Sequence, residues 1–458
     1  MDEKTLVKDL TQGSIARSLI RYAAPLFVAN TLQAVYNLVD MMVMGQVEGG
    51  VGMAAVNIGG TVVSMATFLM IGFTNAGQII LAQLVGAQKR DSLKKMIGTL
   101  FVVTLIIAAC MLFICLVFGS TILRLLNADP IAAPLARDYY ITSICGVFFI
   151  AGYNMFCAVL RGMGDSRKPL YFVAIASILN IVLDILFVAG FHWSAFGAAL
   201  ATVIGQSVSF FFALVYLYRR RESFGFDFKL SSFRVYREQL RPLIKLGIPM
   251  SIQMASVTIS KAFVAAWINT SGYMYSALNG IFSKLALFMG VISNSMTSAG
   301  GASIAQCIGA RKFERVPKIM GMVILITGVI CGTISLAVLL FPTFAFQLFT
   351  TDPAVIDISD ILVVPAVIVM LSGIFRSVGM SLINGSGNSR LNLIIAILDG
   401  IVVRIGLSYL LGFTFNMSVR GFWFGDAFAG YMPFVVGIVF FFTGRWKTNK
   451  HIIKGEDN

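Results

Sequence analysis

The chain has 458 residues, of which 58% are hydrophobic and only 12% are charged, with a mean hydropathy of +0.86. Soluble domains carry about 25% charged residues, so this composition excludes a water-soluble globular fold. The formal net charge of +14 would suit a nucleic-acid partner. However, the basic residues lie in short segments between long apolar runs, which argues against that partner and is typical of membrane proteins in contact with anionic lipids.

The apolar runs are each close to the ~20 residues that a membrane-spanning helix needs. We see no short apolar segment with a small-residue cleavage site, so no signal peptide is expected. The pattern predicts an all-α polytopic membrane protein. Its twelve transmembrane helices are predicted at about 18–44, 53–82, 96–119, 138–160, 169–190, 195–217, 242–269, 277–305, 319–341, 357–383, 391–412 and 421–444.

The basic residues also predict the orientation of the chain. Of the 35 Lys and Arg residues, four lie inside predicted spans and all but three of the others fall in segments on one side. The exceptions are Arg124, Arg137 and Arg420. By the positive-inside rule, both termini are expected in the cytoplasm, with the protein in the inner (plasma) membrane.

We expect two lobes, an N-lobe at 1–217 and a C-lobe at 242–444. Residues 218–241 are predicted to form a cytoplasmic linker, and 445–458 a cytoplasmic tail. The linker alternates charged and aromatic residues, so it is expected either to lie along the lipid headgroups or to form a solvated loop.

An internal repeat with an offset of 223 residues supports this division. Each half contains six predicted spans, so the two copies have the same orientation in the membrane, as in some rocking transporters. Three pairs of segments match in register: Ala82–Lys89 with Ala305–Lys312, Leu126–Pro130 with Phe349–Pro353, and Gly162–Arg167 with Gly385–Arg390.

Four segments carry a resemblance to a known family over essentially the whole chain. They are AAPLFVANTLQAVYNLVDMMVMG (23–45), AQLVGAQKRD (82–91), LRGMGDSRKPLYF (160–172) and NGSGNSRLNL (384–393). The chain resembles transporters of the multidrug and toxic compound extrusion (MATE) family, more closely its DinF-like and archaeal branch than its NorM branch. The resemblance implies two six-helix lobes around a V-shaped central cleft, and export of lipophilic drugs or other organic solutes driven by inward H⁺ or Na⁺.

Polar residues inside the first-half spans form a candidate cation-coupling site, and three of them, Gln33, Asn37 and Gln206, are expected to line the substrate cavity instead. Gln33, Asn37 and Asp40 follow one stripe of span 1, and Tyr36 lies beside it. Asn180 and Asp184 share one face of span 5. Asn154 lies in span 4, and Thr202 and Gln206 share one face of span 6.

A carboxylate inside a span costs roughly 2.5–3.5 kcal/mol, and two close together cannot both stay ionised cheaply. We therefore expect a proton, or a Na⁺ held by Asp40, Asp184 and Asn180, to neutralise them. The MATE resemblance implies the same coupling network, at Tyr36, Asp40, Asn154, Asn180, Asp184 and Thr202. The alternative is a hydrogen-bond cluster that only fixes helix packing, each bond contributing about 0.6 kcal/mol.

The second half does not repeat this site. Val257 and Gly373 stand near the positions where NorM-type transporters carry acids, so a site of that type is not expected. The spans instead contain a basic set that is either paired structurally or lines a cavity for anionic cargo; Asp399 is expected to pair with one of its cations, and Asp426 to lie at the interface. The set consists of Lys261, Lys284, Arg376, Asp399 and Arg404.

Pro25, Pro249 and Pro365 lie inside predicted spans, where a proline removes a helical hydrogen bond and permits a kink. We expect Pro25 to act as a hinge that couples the protonation of Asp40 to the shape of the substrate cavity.

Several chemistries are not expected. The chain has six cysteines without a CxxC pair, two distant histidines and no P-loop motif, so we expect no zinc site, no nucleotide-driven pumping and no cofactor. The expected partners are small organic substrates and membrane lipids. Since the two halves already form a pseudo-dimer, we expect a monomer.

Three alternatives compete with drug export. The basic second half would suit a flippase or exporter of a lipid-linked or anionic metabolite. Gly162–Asp165 matches the GxGD motif of intramembrane proteases, but Asp165 lies in a basic loop and its repeat mate is Asn388, so an enzyme is not expected. A channel is disfavoured because no pore motif repeats.

Overall fold

The computed structural model describes residues 8–125, 130–224, 226–350 and 352–447. All regular elements in these ranges are helices. Most of the predicted tail, the first seven residues of the polar N-terminus, and positions 126–129 of the repeat lie outside the described residues.

The first helical stretch, α1, extends from Ile15 to Gly86, a length of 72 residues. At about 1.5 Å per residue it would be more than three times as long as the ~30 Å hydrocarbon core. The break is at Gly49, where φ is 63° and ψ is −151°, a conformation that essentially only glycine adopts. Thus α1 contains two spans, on either side of Gly49, as the sequence predicts.

The first half continues with five more helices, which are α2 (Arg90–Leu125), α3 (Ala133–Cys145), α4 (Val147–Gly162), α5 (Arg167–Asp184) and α6 (Ser194–Arg219). Helices α3 and α4 are inclined by 52° at a short break, and the pair is long and apolar enough for one span. After Asp184, α5 continues as a π-helix over Ile185–Gly190.

A short helix, α7 (Arg221–Phe224), precedes the second half. The long helices there are α8 (Arg237–Asn269), α9 (Tyr273–Gly309) and α10 (Arg315–Leu340), followed by the short α11 (Pro342–Gln347) and α12 (Pro353–Asp357). Next come α13 (Asp360–Gly385) and α14 (Ser389–Ile395), which continues through π-helices at Ala396–Leu407 and Leu410–Thr414. Helices α15 (Ser418–Ala429) and α16 (Met432–Phe442) form one apolar stretch.

Ten helical stretches in the described residues are long and apolar enough to cross a membrane, and the bent α3–α4 pair makes an eleventh. Dividing α1 at Gly49 brings the number to twelve. The predicted all-helical, twelve-span fold class is confirmed.

The chain forms two compact units whose bounds differ from the predicted lobes. The first contains residues 24–251 with Lys8, and the second contains residues 9–23 and those from Ile252 onward. Helix α1 therefore changes unit between Ala23 and Ala24, and α8 between Ser251 and Ile252. Pro25 and Pro249 lie within three residues of these two changes. The functional lobes at 1–217 and 242–444 stay a prediction.

The predicted linker packs against α2 of the first unit. Phe233 lies 4.6 Å from Phe101, centroid to centroid, and the backbone N–H of Tyr236 donates to the Thr99 hydroxyl at 3.1 Å. The Ser232 hydroxyl donates to Asp227 and holds the pKa of that exposed carboxyl below its usual value. The segment is therefore a folded part of the first unit.

The N-terminal segment is also anchored by specific contacts. In the first unit, the Lys8 ammonium pairs with the buried Asp165 at 2.9 Å. In the second unit, the Leu10 N–H donates to Gln306 Oε1 at 2.8 Å, and Lys312 Nζ donates to the Thr11 hydroxyl at 3.0 Å. The sequence places Asp165 in a basic loop, and its partner in the structure is Lys8.

Candidate functional site

Carboxyl, amide and hydroxyl groups from three helices of the first unit converge inside it. Asp40 comes from α1, and Asn180 and Asp184 come from one face of α5. Helix α6 approaches α5 closely because Gly205 faces Ala176, whose carbonyl oxygen lies 3.0 Å from where a Cβ would be. This approach brings Thr202 of α6 to Asn180.

The hydrogen bonds of the cluster run through Asn180. The Asn180 amide is oriented so that its nitrogen faces an acceptor and its oxygen faces a donor. In this orientation Nδ2 donates to Asp40 Oδ1 at 3.1 Å, and the amide oxygen accepts from the Thr202 hydroxyl at 3.3 Å. The carboxyl groups of Asp40 and Asp184 lie within hydrogen-bonding reach of each other. The predicted pair of acids is therefore a pair in space.

Both acids are buried, and neither is paired with a basic side chain in the part of the chain that the structure describes. Asp40 is 3% exposed and Asp184 is 0% exposed. Among the described residues, no Lys or Arg forms an ion pair with either carboxylate, and the buried Asp184 Oδ1 has no hydrogen-bond partner. The cluster thus has the oxygen-rich composition and the unused acceptor that a proton or a hard cation would fit.

Two tyrosines complete this environment. The Tyr36 hydroxyl is within hydrogen-bonding reach of Gln206 and close to both acids. Tyr139 of α3 is buried and lies close enough to Asp40, Asp184 and Tyr36 to interact electrostatically. Sequence reasoning missed Tyr139, although a hydroxyl inside predicted span 4 was a usable signal.

A small apolar cluster packs beside the acids. Met44 follows Asp40 by four residues, about one turn of its helix, and Val188 follows Asp184 by the same number. Both side chains are fully buried. Tyr139 and the alanines at the start of α6 pack with them. This packing keeps the acids in a medium of low dielectric constant, where charge is costly.

Three other predicted site residues do not join the hydrogen-bonded cluster. Asn154 is half-buried and donates from its side chain to the Ile150 carbonyl of its own helix at 2.8 Å. Gln33 is half-buried and Asn37 is exposed. Asn37 and Asp40 differ in burial although three residues leave them only about 60° apart around an α-helix, so the edge of the buried face of α1 lies between them.

The second unit contains a different cluster, made of alternating charges. Asp399 is 0% exposed and accepts from Arg376 Nη1 through Oδ2 and from Arg404 Nη2 through Oδ1, each at 2.6 Å. Arg404 also forms an ion pair with Asp426 and donates to its backbone oxygen at 3.3 Å. Asp399 therefore binds two arginines rather than the single expected partner.

The π-helix explains this pairing. Asp399 and Arg404 are five residues apart, which in an α-helix would place them about 140° apart around the axis. The i→i+5 bonding of a π-helix brings residues five apart onto the same side. The π-helix over Ala396–Leu407 thus allows an ion pair that the α-helical period does not predict.

The two lysines of the predicted basic set, Lys261 and Lys284, lie in different surroundings. Lys261 lies close enough to Arg376, Arg404 and Asp399 to interact with them electrostatically. Lys284 instead lies 6.0 Å over the Phe349 ring. Asp426 is 7% exposed and paired with Arg404, and its placement at the membrane interface stays a prediction.

Pro25 is half-buried inside α1, and its role as a hinge stays a prediction.

Among the described residues, no group of three or more His, Cys, Asp or Glu side chains comes together to hold a metal ion. Any cation at the first-unit cluster would therefore rely on amide and hydroxyl oxygens beside the two carboxylates.

Comparisons with known proteins agree with one another. The family model MatE matches the chain twice, at residues 25–186 and 249–410. The chain is 26% identical to the Bacillus subtilis (strain 168) "Probable multidrug resistance protein YoeA", covering 94% of this chain and 96% of that one. It is 24% identical to the "Multidrug export protein MepA" of Staphylococcus haemolyticus (strain JCSC1435), covering 89% of each.

A solved structure of a MOP superfamily transporter from Pyrococcus furiosus has the same fold. The TM-score is 0.86 at 23% identity, covering 97% of this chain and 98% of that chain. The relatives carry names from several groups, NorM among them, so the branch within the family stays a prediction. The family model covers most of the sequence, once in each half, and the chain therefore belongs to the MATE family, whose members are membrane transporters and not enzymes.

Proposed function

We propose that this protein is a secondary antiporter that exports small organic solutes, including lipophilic drugs, in exchange for H⁺ or Na⁺ entering through the Asp40–Asp184 cluster. The names of relatives that align over most of their length, a multidrug resistance protein and a multidrug export protein, support the cargo class. The absence of a P-loop motif from the sequence supports an ion gradient as the energy source.

The observation that carries the proposal is the burial of two adjacent acids without a basic partner among the described residues. A hydrogen bond between two carboxyl groups needs one proton between them, and a second negative charge beside the first is costly at low dielectric constant. The cluster is therefore stable only when a proton or cation is bound. A bound ion stabilises one arrangement of the helices, and its release favours another.

The choice of ion follows from the ligands available. One proton satisfies the Asp40–Asp184 contact, whereas Na⁺ would use oxygens of both acids together with those of Asn180 and Thr202. Because the pair holds the ion jointly, it is expected to titrate as one unit. Both ions fit this chemistry, and experiment distinguishes them.

The test is transport by purified protein in liposomes, with a pH gradient or a Na⁺ gradient imposed separately. Ethidium and norfloxacin serve as cargo. We expect one gradient to drive transport by the wild-type protein, and Asp40→Asn or Asp184→Asn to reduce it to the level of empty liposomes. Asp357→Asn, at an exposed carboxylate in the second unit, is the matched control and should transport normally.

Normal gradient-driven transport by both Asp40→Asn and Asp184→Asn would overturn the coupling assignment. Circular dichroism and size-exclusion chromatography establish that each variant is folded. Equal transport by the wild-type protein with and without a gradient would overturn antiport itself.

A second candidate function is export or flipping of a lipid-linked or anionic metabolite, which the basic residues of the second unit favour. In a pump-deleted strain, this function would leave ethidium efflux unchanged on expression. Loss of a cell-envelope polymer on gene deletion would then support it. Restored ethidium efflux would favour drug export.

A further inference from the structure

The charged cluster of the second unit has one cation too many. Asp399 and Asp426 use their carboxylates on Arg376 and Arg404, which makes a neutral group of four. Lys261 lies within electrostatic reach of this group and is exposed, and it forms no ion pair with any described residue. The local charge is therefore +1, inside helices that span the membrane.

Helix α8 packs closely on the π-helix that carries Asp399. The Ser256 hydroxyl of α8 donates to the Ala396 carbonyl at 2.7 Å. Gly400 makes the approach possible, since a Cβ there would lie 2.1 Å from Ser256 Oγ. Lys261 is five residues further along α8 and about 140° around its axis from Ser256. The contact therefore brings the two helices together, and the long Lys261 side chain lies within electrostatic reach of the group.

The two arginines of the group are not equivalent. Arg404 is 3% exposed and uses both terminal nitrogens on the two acids. Among the described residues, Arg376 is bound through Nη1 to Asp399 alone, and its side chain is 23% exposed. A guanidinium has five N–H donors, so Arg376 retains donors beyond its contact with Asp399. Lys261 and Arg376 therefore present ammonium and guanidinium donors that the described acids do not occupy.

An unpaired ammonium next to two guanidinium groups is repelled by both, and in a membrane-spanning segment water screens this repulsion poorly. One singly charged oxyanion would make the cluster neutral. It would accept hydrogen bonds from an ammonium and a guanidinium, which is the arrangement that gives short charge-assisted bonds to carboxylates and phosphates.

We propose that Lys261 and Arg376 form a binding site for one carboxylate or phosphate group, contained within the second unit. As a role in cargo recognition the site rests on the proposed export function, but anion binding itself does not depend on ion coupling in the first unit.

The test is equilibrium binding to the full-length protein in a neutral maltoside detergent, by isothermal titration calorimetry and without any gradient. The probes are octyl phosphate and octylammonium, which share a tail and differ in charge. We expect octyl phosphate to bind more tightly, and Lys261→Gln to weaken it by at least about tenfold, as expected for loss of one partner of a poorly solvated charge pair.

Lys284→Gln is the matched control, because Lys284 is an exposed lysine of the same unit that lies beside Phe349 and outside the cluster. It should bind octyl phosphate normally, and Lys261→Arg should retain most of the affinity. Octylammonium binding as tightly as octyl phosphate would overturn the proposal. Unchanged octyl phosphate binding by a folded Lys261→Gln protein would do so equally.

Two sources could supply the oxyanion, a membrane lipid and a transported solute. In nanodiscs, displacement of octyl phosphate by phosphatidic acid but not by phosphatidylcholine, without any transport of fluorescein, indicates a lipid headgroup. Lys261-dependent transport of fluorescein indicates a solute. Both results support the site. If Asp40→Asn abolishes transport but leaves octyl phosphate binding unchanged, coupling and anion binding are separate properties of the two units.

Discussion

At the scale of single residues, burial separates two kinds of carboxylate in this protein. Asp40 and Asp184 are buried beside each other without a basic partner among the described residues, whereas Asp399 is buried between two arginines. The first arrangement is stable only with a bound ion. The second is already neutral, and loss of one member leaves a buried charge without compensation. The same residue type is therefore proposed to serve ion exchange in one unit and structure in the other.

This difference predicts the effect of Asp399→Asn on stability. The substitution leaves Arg376 and Arg404 without their shared acceptor, and removal of one partner of a buried ion pair typically costs about 3–5 kcal/mol. We expect a clear fall in the thermal unfolding temperature in detergent, measured by intrinsic fluorescence. Asp357→Asn, at an exposed acid, is the control and should unfold like the wild-type protein. Equal unfolding temperatures for the two variants would contradict the structural role of Asp399.

The sequence predicted some members of the two charged clusters but not others. The i, i+4 spacing of Asn180 and Asp184 places them on one face of a helix, so that polar face could be anticipated, and the resemblance to the MATE family added Asp40 to it. Tyr139 and Asp426 could not be placed in the same way. Their partners come from helices distant in sequence, and helix register alone does not say which faces meet.

At the scale of elements, departures from α-helical geometry decide where side chains point. Gly49 divides α1 into two spans, and the π-helices lie in the fifth span of each half, next to Asp184 and around Asp399. A π-helix changes the angular position of every residue after it. The helices were predictable from hydrophobic length, but these irregularities were not, since the apolar pattern does not distinguish i→i+4 from i→i+5 bonding.

Gly49 and Gly50 are expected to respond in opposite ways to substitution by alanine. Gly49 has a backbone conformation that strains any other residue by about 1–3 kcal/mol, so Gly49→Ala should lower the unfolding temperature. Gly50 is helical and a Cβ there meets no atom within 4 Å, so Gly50→Ala should have no effect or a stabilising one of up to ~1 kcal/mol. Thermal unfolding of the two variants in the same detergent checks this. A Gly49→Ala protein as stable as Gly50→Ala would exclude a strained break at Gly49.

At the scale of the whole molecule, the chain passes between its two units at repeat-related places. Helices α1 and α8 change unit beside Pro25 and Pro249. A proline leaves one helical carbonyl without its usual partner, so the helix bends there at lower cost. Ion binding at Asp40, further along α1, could therefore be linked to a change in the course of this helix.

Pro25→Ala is expected to slow transport without unfolding the protein. The added helical hydrogen bond contributes about 1 kcal/mol, which corresponds to roughly a fivefold change in rate if it must break during each cycle. Initial rates of gradient-driven ethidium transport in liposomes measure the effect. Pro342→Ala is the control, because Pro342 begins α11 and leaves no bond of a longer helix unmade. An unchanged rate for Pro25→Ala would argue against a hinge at this position.

The amino-acid sequence by itself determined that the protein is helical, crosses the membrane twelve times and contains a repeat. These properties follow from the length of apolar runs and from local spacing, which need no knowledge of neighbouring helices. Only the tertiary structure decided which polar groups meet and that Asn154 bonds within its own helix. It also decided that Asp399 holds two arginines while Lys261 forms no ion pair with a described acid. The reason is physical, since such contacts depend on helix rotation and close approach, which small residues and π-turns set.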